Sequence, residues 1–240
     1  MTLAEVLASL FPAGHDVVQA RGLLSGSGPL NDGGRVTVIG VADRTPLGVE
    51  EALSLAGHVL AGLEKGDDGP ILVLIDSDSQ RMSKRDELLG LNEFLAHLAK
   101  CLIHADMQGC HTVGLLYGHT AAGAFIATAM ATRSLVALPG AAPAVMDLPS
   151  MARVTKLPID ILEEKARSTP VFAPGLENLA RTGAVLAVWD EKRSLADQLQ
   201  ALLDQPGTDD RRDRLGKERK GRPKAADIAE RVHDLALRPQ

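Results

Sequence analysis

Aromatic residues are scarce in this chain: they make up 2% of its 240 residues, with one Trp, one Tyr and four Phe. We therefore expect a core of Ala, Leu, Val and Ile, in which helices pack closely. Cysteine is also rare, and Cys101 and Cys110 provide neither a disulfide framework nor a metal cluster. Because His, Cys, Asp and Glu show no metal-ligand spacing, we expect no metal and no cofactor bound by this chain.

The sequence also lacks the segments that take proteins into or across membranes. No apolar run reaches the roughly 18 residues that a spanning helix needs. The first residues, Met-Thr-Leu-Ala-Glu, have no basic region of the kind that opens a signal peptide. We therefore expect a cytoplasmic protein without a membrane partner, and the formal net charge of −5 argues against nucleic acid as a partner.

Short apolar segments alternate with helical patterns through most of the chain. Strands are predicted at 35–42, 70–76, 111–117, 133–138 and 183–189. Helices are predicted at 2–11, 49–64, 86–107, 124–132, 149–156, 159–167, 174–181 and 194–204. This order predicts βαβ units and a mostly parallel sheet surrounded by helices. Ligands of such folds bind beyond the carboxyl ends of the strands, which here are the loops after Asp76 and Tyr117.

The two ends of the chain differ from this central part. Residues 22–34 are rich in Gly and polar residues and predict a loop. Near the other end, 211–224 holds eight basic and two acidic residues with two Gly, which predicts a mobile, solvated linker before a helix at 224–237. We therefore divide the chain into an N-terminal helix and loop (1–34), a main α/β domain (35–206), and a basic linker with a C-terminal helix (207–240).

The loop that joins the third strand to the next helix is the main candidate for a functional site. The first N–H groups of a helix have no partner within it, and small residues let a ligand approach the backbone closely. Such a loop can stabilise the oxygen of a thioester enolate or a carboxylate. Small residues also serve simple packing of a helix on a strand, and that interpretation stays open. The candidate site residues are Gly118, His119, Ala122, Gly123 and Ala124.

Other chemistries are less well supported by this loop and its neighbours. The Lys-Ser/Thr pair of a phosphate-binding P-loop is missing, because Ala124 and Phe125 occupy those positions. The G-x-S-x-G motif of hydrolases is missing too. His119 is suited to binding a carboxylate or transferring a proton, or it is simply a solvated neighbour of the helix. Asp76 and Asp78 could act as an acid and a base, although aspartates at strand ends usually cap turns.

Two blocks of the sequence resemble the C-terminal domain of acyl-CoA carboxyltransferases. In that family a turn of the type Gly-Gly-Ala-Tyr is followed by a segment of the type Trp-Pro-x-Ala-x-x-Ala-Val-Met. Gly123-Ala124-Phe125 and the segment from Pro139 to Met146 match these blocks, with Leu138 in place of the Trp. The resemblance spans roughly 35–190, and the chain as a whole is similar to the gamma subunits of biotin-independent malonate decarboxylases.

This resemblance implies a crotonase-like (ClpP/crotonase) α/β fold and an active site shared with a beta subunit. It also implies a reaction in which a malonyl group is decarboxylated to an acetyl group. The substrate would be carried on the phosphopantetheine-type prosthetic group of a separate acyl carrier protein, and an alpha subunit that acts as acyl-carrier transferase is a further expected partner. Two alternatives stay open: a half-subunit of a biotin-dependent acyl-CoA carboxylase, and a non-catalytic scaffold.

Overall fold

The computed structural model describes residues 1–66, 68–170, 173–205 and 210–238. Its strands are β1 (Val18–Ala20), β2 (Leu23–Pro29), β3 (Arg35–Leu47), β4 (Ile71–Gln80), β5 (Thr112–Leu116), β6 (His119–Ala121), β7 (Ser134–Ala137), β8 (Ala142–Ala144) and β9 (Ala187–Val188). Its helices are α1 (Leu3–Leu10), α2 (Val49–Glu64), α3 (Lys84–Leu89), α4 (Leu91–Met107), α5 (Ala122–Ala127), α6 (Leu148–Thr155), α7 (Ile159–Ser168), α8 (Leu176–Arg181), α9 (Leu195–Leu203), α10 (Arg212–Glu218) and α11 (Ala225–Ala236).

The main sheet has the strand order β1-β2-β3-β4-β5-β7-β9. Strands β3, β4, β5, β7 and β9 run parallel, whereas β1 and β2 add antiparallel pairs at one edge. A second, small sheet consists of β6 and β8, which are parallel. The prediction of an α/β fold with a mostly parallel sheet is therefore confirmed.

The central strand β4 is buried on both of its faces, which explains its unbroken apolar sequence. Ile71, Val73 and Ile75 belong to a core shared with α2 and α4. Leu72 and Leu74 belong to a second core, on the side of α1 and α9. Two layers of helices thus enclose the sheet and leave the ends of its strands for chemistry.

Several local predictions are confirmed by the hydrogen bonds. At the start of α1, the Thr2 hydroxyl accepts from the Glu5 amide at 3.3 Å, and the Glu5 carboxylate accepts from the Thr2 amide at 2.7 Å. These two bonds form a capping box at the start of the helix predicted at 2–11. The strands predicted at 35–42, 70–76 and 111–117 are also present, and β3 and β4 continue beyond their predicted ends.

Other local predictions are wrong. The segment 22–34 contains β2, whose small residues suit a strand here because a Cβ on Gly28 would lie 2.3 Å from the Phe11 ring. The helix predicted at 86–107 is two helices, since Gly90 has φ 83° and both ends α3 and begins α4. The helix predicted at 124–132 begins at Ala122 and ends at Ala127.

The prediction of a solvated linker at 211–224 is also wrong. This segment contains α10, and Gly216 and Gly221 lie against the backbone of the turn after α8. The guanidinium of Arg219 donates three hydrogen bonds of 2.8 Å, to the carbonyl oxygens of Ala180, Val185 and Leu186. Basic side chains were read as solvated because the sequence does not show the carbonyl groups that they bind. The predicted domain boundary between 206 and 207 lies outside the described residues.

A cluster of charges fixes the chain where it leaves β4. The Arg81 amide donates to the Leu47 carbonyl oxygen at 2.7 Å, and its guanidinium lies 2.6 Å from the Glu51 carboxylate. The Asp86 side chain, 1% exposed, lies 3.9 Å from the same guanidinium. These contacts join α2, β4 and α3, so the residues at the end of β4 have a fixed position.

Candidate active site

The turn from β5 into β6 lies directly on the end of β4. The Asp76 carboxylate accepts a hydrogen bond of 2.9 Å from the His119 amide. A Cβ on Gly118 would lie 2.2 Å from Asp76 Oδ1, so only glycine allows this close approach. Asp76 therefore acts here as an acceptor that shapes the turn, the role that aspartates at strand ends commonly have.

His119 is held by the next residue of β4. Its Nδ1 lies 3.0 Å from the Ser77 carbonyl oxygen. A carbonyl oxygen can only accept, so Nδ1 carries the proton and Nε2 is left to bind or exchange a proton. The Asp78 carboxylate is 4.0 Å from Nδ1 and 3.5 Å from the Arg44 guanidinium. Of the two aspartates considered from the sequence, Asp76 binds the turn and Asp78 lies beside the imidazole.

A buried pair of hydroxyls attaches β6 to β4. The Ser77 and Thr120 hydroxyl oxygens are 2.8 Å apart, and both residues are fully buried. Burial keeps water away from these hydroxyl groups, so each one needs the other as its hydrogen-bond partner. The sequence does not reveal this pair, because two small hydroxyl residues in separate apolar segments give no signal that they meet.

The side chain of Gln80, which the sequence does not single out, holds the start of α5. The Gly123 amide donates to Gln80 Oε1 at 2.8 Å. A Cβ on Gly123 would lie 3.0 Å from Leu95 and 3.1 Å from Gln80 Oε1, which is tight contact. Ala122 has φ 50°, an uncommon conformation for alanine, and Ala124 is fully buried. The strand predicted at 70–76 ends four positions before Gln80. Strand β4 continues to Gln80, and this extension brings the Gln80 side chain to the start of α5.

Strand β8 brings the second sequence block beside this turn. It pairs with β6 in parallel, with Ala142 opposite His119 and Ala144 opposite Ala121. The Ala142 amide also donates to the Gly118 carbonyl oxygen at 3.0 Å. All five predicted site residues therefore lie in one continuous turn, bordered by β4 on one side and by β8 on the other.

The phenol of Tyr117 lies next to Gly118 and stays protonated at neutral pH. Burial is the main cause that raises the pKa of Tyr117, and the Asp76 and Asp43 carboxylates raise it further. The hydroxyl stays protonated and points to the Val41 carbonyl oxygen at 3.5 Å.

In the described part of the chain there is no group of three or more His, Cys, Asp and Glu side chains placed to hold a metal ion. No helix there is both long and apolar enough to cross a membrane.

Solved structures share this fold over nearly the whole chain. A Pseudomonas malonate decarboxylase hetero-tetramer in complex with coenzyme A has a TM-score of 0.77 at 22% identity, covering 96% of this chain and 98% of its own. The Pseudomonas MdcD-MdcE hetero-dimer gives 0.74 at 24% identity, with 97% and 99% covered. Transcarboxylase 12S gives 0.68 at 17% identity, covering 87% of this chain and 42% of its own. The chain thus has the predicted crotonase-like fold of carboxyltransferases.

Sequence comparison narrows this class to one family. The malonyl-S-ACP:biotin-protein carboxyltransferase of Malonomonas rubra is 29% identical over 154 residues, which are 60% of this chain and 53% of that protein. This chain therefore matches only about half the length of that curated relative. The family model for the malonate decarboxylase gamma subunit matches residues 42–236. The chain belongs to the malonate decarboxylase gamma subunit family, as its sequence blocks predicted.

Proposed function

We propose that this chain works with a beta subunit to decarboxylate a malonyl thioester to an acetyl thioester and CO2. The observation that carries this proposal is the family match over 42–236. The turn from Gly118 to Ala124 at the carboxyl edge of the sheet is the region that best fits the chemistry. The malonyl group is carried on the phosphopantetheine-type arm of a separate acyl carrier protein, and an alpha subunit transfers the acyl carrier.

Decarboxylation breaks the bond between the carboxylate and the carbon next to the thioester. The electron pair of that bond forms an enolate with negative charge on the thioester oxygen, and CO2 leaves. The enolate carbon then takes one proton to give the acetyl thioester. The step is accelerated by fixed N–H donors at the oxygen and by removal of water from the carboxylate. These reaction steps need neither biotin nor a metal.

The hydrogen bonds restrict which amides of the turn can serve as donors. The His119 amide already donates to Asp76, and the Gly118 amide lies 3.3 Å from the Ile75 carbonyl oxygen. The Gly123 amide donates to Gln80 Oε1, a neutral carbonyl oxygen that a thioester oxygen can replace more readily than it can replace the Asp76 carboxylate on His119. We therefore assign the oxyanion site to the Ala122–Ala124 end of the turn, with the substrate oxygen taking the place of Gln80 Oε1 on Gly123.

We assign His119 to proton transfer or carboxylate binding through Nε2, since Nδ1 is occupied by the Ser77 carbonyl oxygen. We expect His119→Ala to lower kcat of the assembled complex by more than tenfold, because one proton-transfer group typically contributes about 10²–10⁴. His97→Ala, on α4, is the control. A loss of tenfold or less from His119→Ala would move His119 to a structural role, with water or the partner subunit supplying the proton.

The direct test of the proposed function compares the chain alone with the assembled complex. We expect the purified chain to be inactive and the complex with its beta subunit to release CO2 from a malonyl thioester. Radiolabelled CO2 release and mass spectrometry of the acetylated carrier measure the two products. Full activity of the chain without the beta subunit would contradict a shared site.

A second candidate function is transfer of the carboxyl group to biotin. It is favoured by the relative from Malonomonas rubra, a malonyl-S-ACP:biotin-protein carboxyltransferase. Avidin separates the two candidates, because it sequesters biotin. If avidin abolishes the reaction, or if carboxylated biotin accumulates, this chain belongs to a carboxyltransferase reaction. Decarboxylation that continues at the same rate with avidin supports the first candidate.

The basic residues of the C-terminal segment are candidates for recruiting an acidic carrier protein. Arg212, Lys217 and Arg219 are engaged within the chain, by Asp210, by Asp227 and by the three carbonyl oxygens. Lys220, Arg222 and Lys224 are exposed. We expect replacement of these three by Gln to raise KM for the carrier substrate several-fold and to weaken its salt dependence, since opposite charges accelerate encounter.

The alternative is that the C-terminal segment binds the beta subunit. Helix α11 exposes Ile228, Val232 and Leu235, with no buried residue of its own. On this alternative, the Gln variant keeps its kinetics, while deletion of 224–240 loses the heteromer. Gel filtration of each variant with the beta subunit and KM at low salt decide between the two. Wild-type KM for the Gln variant at low salt would reject recruitment.

A further inference from the structure

A cavity of about 370 Å³ lies at the edge of the sheet opposite to the candidate active site. Its lining includes His111, just before β5, and Arg133 and Ser134, where β7 begins. Because β5 and β7 are parallel, these residues mark the amino-terminal edge, whereas Gly118 follows the carboxyl end of β5. Helix α10 closes the other side of the cavity through Leu215.

The charges of this cavity are strongly one-sided. Four arginines line it against one carboxylate, that of Asp210; the four are Arg133, Arg211, Arg212 and Arg214. Lysine does not take part, so the donors are planar guanidinium groups. Such groups bind phosphate and carboxylate oxygens through two parallel hydrogen bonds.

Two of the guanidinium groups are already fixed in position. Arg133 Nε donates to the two Asp106 carboxylate oxygens at 3.1 and 2.9 Å, and these side chains are 22% and 14% exposed. Arg212 Nε donates to both Asp210 oxygens at 2.9 Å, and its Nη1 donates to the Met130 carbonyl oxygen at 3.0 Å. Groups that are held before a ligand arrives lose less entropy when they bind it.

The other two arginines lie at the surface of the cavity. Arg211 and Arg214 are exposed, and neither forms an ion pair within the described part of the chain. His111 contributes a polar group whose Nε2 lies 2.9 Å from the Ser134 hydroxyl. Burial lowers the pKa of His111, so the positive charge of the cavity near neutral pH comes from its arginines.

We propose that this arginine cavity, lined by His111, Arg133, Arg211, Arg212 and Arg214, binds a compact dianion, either a phosphate group or a small dicarboxylate. The bound dianion joins α10 to the starts of β5 and β7, so it stabilises the packing of the C-terminal segment on the sheet. The site does not depend on the proposed decarboxylation, because it lies at the opposite edge of the sheet and uses none of the residues of the turn.

The test measures thermal unfolding of the full chain with inorganic phosphate, malonate, acetate or sodium chloride at equal ionic strength. We expect phosphate or malonate at ten times its Kd to raise Tm by about 3–6 °C, with acetate and chloride giving less than a third of that rise. Phosphate alone identifies a phosphate-bearing ligand, malonate alone identifies a dicarboxylate, and both together identify a general dianion site.

Two matched double variants locate the effect. Arg211→Gln with Arg214→Gln removes two charges from the cavity, and we expect it to raise Kd, measured by calorimetry, about tenfold or more. Arg222→Gln with Lys224→Gln removes two charges outside the lining and should keep the wild-type Kd. Both pairs are exposed, so circular dichroism without ligand should show folded protein. The proposal is overturned if no dianion exceeds the chloride control, or if both variants lose binding equally. Neither readout uses enzyme activity, so failure of the proposed function leaves this result unaffected.

Discussion

Replacement of Gly123 by Val is expected to lower decarboxylation by the assembled complex about 100- to 1000-fold, the loss typical of one oxyanion donor. A Cβ at this position would already lie 3.0 Å from Leu95 and 3.1 Å from Gln80 Oε1. The two further methyl groups of Val displace Gln80 and cover the Gly123 amide, so a substrate oxygen can no longer reach it. Initial rates of CO2 release from a malonyl thioester measure the effect.

Gly57→Val is the matched control for this experiment. Gly57 lies in α2, and a Cβ there would have no neighbour within 4 Å. We expect the control to keep its rate and to lose no stability, because Val is a better helix former than Gly. Gel filtration with the beta subunit must show both variants assembled. An assembled Gly123→Val complex with the wild-type rate would falsify the catalytic role and favour the interpretation that small residues serve packing.

Replacement of Arg219 by Ala is expected to lower the free energy of unfolding by about 3 kcal/mol. This is less than the roughly 4.5–9 kcal/mol that three charge-assisted hydrogen bonds would sum to, because water replaces the guanidinium at the carbonyl oxygens. The guanidinium binds three carbonyl oxygens at 2.8 Å, those of Ala180, Val185 and Leu186. Removal leaves these oxygens to water and detaches the C-terminal segment from the turn after α8. A fall in Tm of roughly 6–12 °C is expected for a chain of this size.

Two further variants test whether the loss of stability comes from the guanidinium of Arg219. Arg219→Lys keeps the charge but has a single nitrogen, so we expect it to recover only part of the lost stability. Arg231→Ala removes an exposed arginine from α11 and should leave Tm within about 1 °C. Equal stability of Arg219→Ala and wild type would show that these three hydrogen bonds do not hold the segment in place.

The long buried strands β3, β4 and β5 and the class of the fold were readable from sequence, because burial on both faces leaves a visible pattern. The strand predicted at 183–189 is shorter, since β9 covers only Ala187–Val188. Strand β4 presents an apolar run whose alternate residues enter two cores. Strand β2 was missed for the complementary reason. Its Gly and Ser residues have low strand propensity, and pairing with β3 together with the approach of Phe11 outweighs that preference.

The candidate site stays a prediction, and the structure adds what holds it in place. Gly118, Ala122, Gly123 and Ala124 were chosen for their small size and their position between a strand and a helix, and His119 was chosen as the histidine of that loop. Their partners Ser77, Gln80 and Thr120 were not, because ordinary polar residues gain a role only through what they contact. Arg219 was misread for the same reason, since a basic residue among other basic residues looks solvated until its acceptors are known.

The sequence by itself determined the buried strands, the capped first helix, the location of the candidate turn and the family. All of these follow from local composition or from matching blocks of residues. The tertiary structure alone decided which side chains hold the turn in place. Asp76, Ser77 and Gln80 bind His119, Thr120 and Gly123, and each pair is separated by 43 positions. This constant separation means that the turn runs in register along the end of β4. Such a register follows from the packing of the sheet, because local preferences do not specify contacts between residues so far apart.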